Sequence, residues 1–275
     1  MNKETSKKDV VNFWEGHPLG SYEIKDDIGS EEFFSNLEAI REDSSGFVMD
    51  FYHFRSSQGQ KVLDVGCGPG WISHKYAESG TNIFSMDLTS TAVGLASRYF
   101  LKDALSGNFV VADAEQIPFQ DNTFDRVTCD GVLHHTPGTQ QGIREIYRVL
   151  KPQGKASISV YYQNILLYEP FFFITKLLMR LLKVRMHGVK FIPLSLSREE
   201  FGKWYDGVDN PLGKIYSSRQ CKKMFQEAGF KILRHKVYYF PKRFSPFLKK
   251  MPRWIHQIFD RWFGTMIFFE VKKII

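Results

Sequence analysis

Cysteine is scarce in the 275 residues: Cys67, Cys129 and Cys221 stand far apart, with no CxxC pair. An odd, scattered set argues against a disulfide framework. It predicts a reducing compartment, with the thiols packed as small apolar residues. No Cys/His/Asp cluster has ligand spacing, so no metal site is expected. Long apolar runs are missing too. The most apolar window, ILLYEPFFFITKLLMRLL (165–182), is broken by Glu169, Pro170, Lys176 and Arg180. A spanning helix needs about 20 mostly apolar residues, so none is expected. The opening MNKETSKKDVVNFW is too polar for a secretory leader. There is no GK[ST] phosphate loop, no internal repeat and no low-complexity tract. These absences make a cytoplasmic globular protein the expectation.

The apolar fraction, 43%, is ordinary for such a chain, and the length suits one elaborated domain. The net charge of +7 hides an asymmetry. Residues 1–171 carry 15 Lys and Arg against 23 Asp and Glu, whereas residues 172–275 carry 22 against 7. A basic half on an acidic half suits an anionic partner: a membrane surface, a phosphorylated substrate or nucleic acid. A solvated basic face is the plainer alternative.

Residues 1–58 are polar and aromatic, with helices expected at 31–43 and near 46–56. Short β-rich runs follow: KVLDV (61–65), NIFSM (82–86), NFVVA (108–112), FDRVTC (124–129) and KASISVYY (155–162). Helical stretches separate them, and that alternation predicts a parallel sheet covered by helices. An apolar-basic cap insertion occupies 163–215. The helix SSRQCKKMFQEAG (217–229) then resumes the pattern, with Ser217 or Ser218 as its cap. The strands FKILRHKVYYF (230–240) and TMIFFEVKK (265–273) complete the core within 216–275, around a second insertion at 241–264. The expectation is an α/β fold with a seven-stranded, mostly parallel sheet. Helices lie on both faces, the last strand is antiparallel, and helical insertions form a cap. Residues 1–58 make a helical lid and 59–162 the ligand-binding core.

The first strand ends in VLDVGCGPG (62–70), a glycine turn with GxGxG spacing. Gly66, Gly68 and Gly70 should let the backbone approach a ligand closely. A dinucleotide site wants GxGxxG, and Trp71 occupies its third glycine slot. Asp64 would repel a pyrophosphate but favours an amine or a sulfonium. Asp87, 23 residues on, closes the second strand, where a carboxylate accepts from ribose hydroxyls. Asp113 follows the third strand and can accept from an adenine amine. An amine, a ribose, an adenine and no phosphate describe S-adenosylmethionine. Alone, each Asp is more often a cap or turn residue.

VLDVGCGPG, SMDLT, VVADAEQIPFQDNTFDRVTCDGVLHHTP and REIYRVLKPQGK together resemble class I S-adenosylmethionine-dependent methyltransferases, over residues 59–162. The type is the one that includes ubiquinone and menaquinone biosynthesis enzymes. The resemblance implies a Rossmann-like fold, S-adenosyl-L-homocysteine as product, and cofactor roles at Asp64, Gly66, Cys67, Gly68, Asp87, Leu88, Asp113, Ala114 and Asp130. Gln153 departs from it, since the family has LKPGG where this chain has LKPQG. FWEGHPLG (13–20) and DNPLGKIYSSRQ (209–220) also resemble a subset that modifies sugars, lipids or secondary metabolites.

DGVLHHTP (130–137) should line the transfer site. His134 and His135 are adjacent and so are expected to point apart. Either one is a general base, His135 the better candidate, or both only hold the loop. In the first insertion, Lys176, Arg180 and Lys183 share a helical face, and in the second Trp254, Ile255, Ile258, Phe259 and Trp262 do. Such faces suit an anionic membrane or a cap over an apolar pocket. The expected function is methyl transfer to a small lipophilic or anionic metabolite, at oxygen or carbon. The alternatives are an RNA or protein methyltransferase, and a non-catalytic cofactor-binding module at a membrane. No nucleic-acid-binding module is visible.

Overall fold

The protein is described by a computed structural model covering residues 5–45, 49–181, 189, 192–240 and 252–275. Its elements run α1 (Lys7–Gly16), α2 (Glu31–Ser45), α3 (Met49–Tyr52), β1 (Lys61–Val65), α4 (Trp71–Glu78), β2 (Asn82–Asp87), α5 (Ser90–Lys102), β3 (Asn108–Val111), β4 (Phe124–Asp130), α6 (Thr139–Val149), β5 (Leu150–Tyr161), α7 (Phe171–Leu181), α8 (Arg198–Lys203), α9 (Ser218–Glu227), β6 (Phe230–Tyr238), α10 (Arg253–Phe263) and β7 (Met266–Lys273). The strands form one seven-stranded sheet in the order β3-β2-β1-β4-β5-β7-β6. β1 to β5 pair in parallel, and β7 runs antiparallel between β5 and β6. The seven-stranded, mostly parallel fold with an antiparallel last strand is as expected.

Alternation along β1 divides the core. Val62 faces a layer with Trp71 and Tyr76 of α4 and Tyr99 of α5, overlain by Phe33 and Leu37 of α2. Leu63 faces the opposite layer, with Ile143 and Ile146 of α6 and Phe225 of α9. Successive strand residues point to opposite faces, so a buried parallel strand reads as a continuous apolar run. Burying each such side chain contributes about 1.5–3 kcal/mol. A third cluster, including Phe172, Phe201 and Tyr205, packs the cap segment onto Tyr161 at the end of β5.

Local chemistry sets the element ends. Ser217 caps α9 in a reciprocal box with Gln220, and Thr89 caps α5. β5 begins five residues earlier than its β-rich run, because 150–154 also lie in the strand. Gln153 there has φ +67 and donates its side-chain N–H to the Ile274 carbonyl at 2.6 Å. A left-handed backbone explains the glycine of related sequences. The helix expected near 46–56 is instead the single turn α3, and His53 with φ +57 ends it; residues 46–48 of that expectation lie outside the described residues.

The basic stripe expected on α7 is also corrected. Lys176 is buried and donates to the Leu194 and Leu196 carbonyls at 2.6 and 3.0 Å. Lys183 lies outside the described residues. On α10, Trp254, Ile258 and Trp262 are exposed, whereas Phe259 stacks on Phe240 with centroids 5.2 Å apart. No helix of the described residues is long and apolar enough to cross a membrane.

Candidate active site

β1 and β4 are neighbours, and the chain leaves them toward opposite sides of the sheet. Such a switch point opens a crevice at the carboxyl ends of the strands. A cavity of about 840 Å³ lies there, within the usual size of a small-molecule site. It is bordered by Gly66 and Gly68 after β1, Asp87 and Leu88 at β2, Asp113 and Ala114 after β3, and Asp130, His134 and His135 from β4 onward. Asp64 and Cys67, also expected at the site, do not border the cavity. Cys67 is buried, and burial pushes its thiol well above the ordinary value.

The glycines of the turn divide the work differently than expected. A Cβ on Gly66 would lie 2.2 Å from the Val132 side chain, and one on Gly70 2.8 Å from Ala96. Those two positions serve protein packing, between β1 and the β4 loop and between α4 and α5. Of the three, only Gly68, φ +52, has room for a Cβ, which would meet Leu19 in ordinary contact at 3.8 Å. Trp71 tolerates the missing third glycine because Gly70 makes the close helix approach. Its ring is buried under the Arg41 guanidinium, 5.1 Å above the centroid.

Each carboxylate has a distinct environment. Asp64 accepts from Ser73 Oγ at 2.6 Å, while its Oδ1 is buried without a hydrogen-bond partner. Burial pushes this carboxyl up to about 7, opposed by the Ser73 hydrogen bond. Asp87 accepts from the Gly68 N–H at 3.0 Å and from the Thr89 N–H and hydroxyl at 3.0 and 2.8 Å. It therefore pins the turn to the second strand. Asp113 accepts from the Glu115 N–H at 2.9 Å and pairs with Lys7 of α1, which also reaches Glu115 at 2.9 Å. Asp130 accepts from Arg41 at 2.9 Å, Tyr52 at 3.0 Å and Ser159 at 2.5 Å. Burial opposes the Arg41 charge, but Asp130 with Tyr239 and Tyr52 outweighs it and raises the guanidinium further.

His134 and His135 occupy one tight turn, Leu133–His135, with ring centroids 4.1 Å apart. Both border the cavity, but His134 is fully buried and the nitrogens of the two rings meet different partners. His134 Nδ1 accepts from the Tyr161 N–H at 3.3 Å, so Nε2 carries the proton in its neutral ring. Burial holds its basicity far below the ordinary value, and its Nε2 has no hydrogen-bond partner. His135 has both ring nitrogens against acceptors. Its Nδ1 donates to the Leu212 carbonyl at 2.5 Å, and its Nε2 faces Asp206 at 3.1 Å. The Tyr161 hydroxyl donates to the same Asp206 oxygen.

Arg41, Lys7, Tyr161 and Asp206 are cavity-lining residues that sequence reasoning missed. Tyr161 ends a parallel strand at its carboxyl edge, a position that could have flagged it. Asp206 and Arg41 arrive by long-range packing and carry no local signal. Among the described residues no group of His, Cys, Asp and Glu has the makings of a metal site.

Residues 63–158 match the family model for a methyltransferase domain. A ubiquinone biosynthesis O-methyltransferase from Pseudomonas fluorescens (strain SBW25) is 33% identical over 151 residues, 53% of this chain and 62% of that protein. The matches to further such enzymes span about half of their length. Among solved structures, an S-adenosylmethionine dependent methyltransferase from Mesorhizobium loti is similar over 80% of this chain and 95% of its own, with a TM-score of 0.54 and 16% identity. The [4+2]-cyclase SpnF is similar over 96% of this chain and 93% of its own, with a TM-score of 0.53 and 17% identity. One fold thus hosts different reactions, and the chemistry must be argued from the site.

Proposed function

We propose that the core of this chain, of which residues 63–158 match a methyltransferase domain, is of the class I, S-adenosylmethionine-dependent type, and that the protein transfers that cofactor's methyl group to an oxygen of a small, largely apolar acceptor. One observation carries the reading. Carboxylates at three strand ends and the glycine turn at Gly66 and Gly68 border one cavity. The related O-methyltransferases support an oxygen acceptor. Three free, buried cysteines suit a reducing, cytoplasmic setting.

The residues fit the cofactor. Gly66, Gly68 and Arg41 border the same cavity; the turn is assigned to the cofactor's methionine end, and the Arg41 guanidinium suits its carboxylate. The Oδ1 of Asp64, buried without a hydrogen-bond partner, is assigned to the positive charge of the amino group. Asp87 keeps lone pairs for ribose hydroxyls, next to Leu88. Asp113 and the Ala114 backbone are assigned to the adenine, and Lys7 must yield its hold on Asp113 as the base enters. More acidic than basic side chains border the cavity, which favours a cationic sulfonium over its neutral product. When bound, the cofactor supplies an electrophilic methyl group, so the protein's main task is to align the acceptor.

The two histidines take different parts. His135 borders the cavity and is assigned as the base for the acceptor hydroxyl, which must take the place of Asp206 at Nε2 as it enters. Asp206 then stabilises the imidazolium that forms, while the Leu212 carbonyl keeps the ring oriented. His134 stays neutral and is assigned to hold the loop, its Nδ1 accepting the Tyr161 N–H. Titration calorimetry with S-adenosylmethionine and S-adenosylhomocysteine tests the cofactor site, and the absence of binding by either would end this reading. Radiolabel transfer into the small-molecule, lipid and RNA fractions of a lysate tests the acceptor class. Label in the small-molecule or lipid fraction is expected, and label confined to the RNA fraction would overturn the acceptor assignment.

A further inference from the structure

α10 has two faces with different surroundings. His256 and Asp260 point inward and are buried; His256 borders the cavity, and Asp260 accepts the Phe240 N–H at 2.6 Å. On the other side Trp254, Ile258 and Trp262, each four residues apart, are 66%, 55% and 55% exposed. The helix is therefore a wall between the cavity and the surface, and its outer side is apolar. α7 repeats the arrangement. Phe172 and Lys176 are buried, whereas Phe171, Ile174, Leu178 and Leu181 are exposed along one face. Asn164 ties the two helices. Its side chain accepts the Leu166 N–H on the way into α7 and donates to the Phe263 and Gly264 carbonyls at the end of α10, both at 3.1 Å.

Exposed apolar helix faces of this size in one protein mark an interaction site. Charge selects the partner. Residues 172–275 carry 22 Lys and Arg against 7 Asp and Glu. Arg261 is exposed on α10, its guanidinium 5.9 Å from the Trp262 ring. The segments that adjoin the two helices in sequence, LKVRMHGVKF (182–191) and PKRFSPFLKKMP (241–252), contain seven Lys and Arg and no acid. Apolar side chains with tryptophan, adjoined in sequence by basic stretches that contain no acid, match the interface of an anionic bilayer. Each Lys or Arg near such a surface strengthens the attraction. A second copy of the chain fits less well, because a symmetric contact would bring the same basic segments together. We propose that the outer faces of α7 and α10 dock on an anionic phospholipid surface. A further step, resting on the methyl-transfer reading, is that a membrane-dissolved acceptor enters the cavity past α10.

The test is vesicle flotation of the full chain. Phosphatidylcholine vesicles containing phosphatidylglycerol should carry the protein up the gradient, salt should weaken this, and pure phosphatidylcholine should bind at least about tenfold less. The triple variant Trp254→Ser/Ile258→Ser/Trp262→Ser should lose at least about tenfold in bound fraction, at about 0.8 kcal/mol for each CH₂ withdrawn from lipid. Phe171→Ser/Leu178→Ser should lose binding in the same way. Both variants should keep the wild-type melting profile and cofactor affinity, since the changed side chains are exposed. No flotation on anionic vesicles overturns docking. So does equal flotation on both vesicle types, or a dimer in light scattering that the triple variant abolishes. Flotation without cofactor binding upholds docking and overturns methyl transfer, so the two readings fail separately.

Discussion

Gly66 is the residue with the least freedom at the site. Its φ of +72 is left-handed, and a Cβ would lie 2.2 Å from Val132. Gly66→Ala should therefore incur about 1–2 kcal/mol of backbone strain and about 1–3 kcal/mol of overpacking. Urea unfolding should show that loss, and Val132→Ala in the same chain should recover the overpacking part, a coupling between neighbours. At the chemical end of the cavity, Asp206→Asn removes the charge that would hold a protonated His135. The expected outcome is a fall in turnover of about a hundredfold or more, the scale of lost acid–base catalysis, with cofactor affinity unchanged by calorimetry. An equal loss of affinity would assign Asp206 to the cofactor instead. The two residues differ in how they could be found. Gly66 was legible because a strand followed by GxGxG is a local backbone signal. Asp206 meets His135 only because the cap segment folds over β5, and no spacing rule reaches that far.

At the scale of elements, α1 is the clearest case of a helix positioned by charge. Glu15 near its end accepts the Ser90 and Thr91 N–H groups at 2.8 and 3.1 Å, on the first turn of α5. Lys7 at its start holds Asp113 and Glu115. Glu15→Ala leaves those N–H groups to water and should cost about 1 kcal/mol, the scale of a lost helix cap. Proteolysis within α1 should accelerate more than in the sheet, because the helix loses one of its two anchors. The alternation of strands and helices was readable from 61 to 162, since period and turn chemistry agree there. α7 was misread for a physical reason. Its spacing does place Lys176 and Arg180 on one side, but periodicity does not say which side is buried. A lysine stem of four methylenes packs readily when carbonyls such as those of Leu194 and Leu196 wait for its ammonium.

For the whole molecule, stability against pH sums groups shifted in opposite directions. Glu270, Glu145 and Asp125 are held below their ordinary values, so their contribution is present above the unfolded values, near 4, and fades as pH falls. His134 and His235 are lowered by burial, so stability rises with pH until the unfolded histidines lose their protons near 6.5. Asp64 opposes both. Its carboxyl is raised from 3.8 to about 7, so its contribution is whole below 3.8 and is lost as pH climbs to 7. The difference between wild type and Asp64→Asn isolates this one group, because the other titrations cancel. Melting temperatures should show the variant gaining on wild type from about pH 4 to about pH 7, with a constant gap above that. A gap that does not change with pH would mean that Asp64 stays ionised in the fold. Saturating S-adenosylmethionine adds a second condition. If its amino group compensates Asp64, the ligand should favour the ionised form, narrow the gap above pH 7, and bind more tightly as pH rises toward 7. Calorimetry across that range should find this trend in wild type and not in Asp64→Asn.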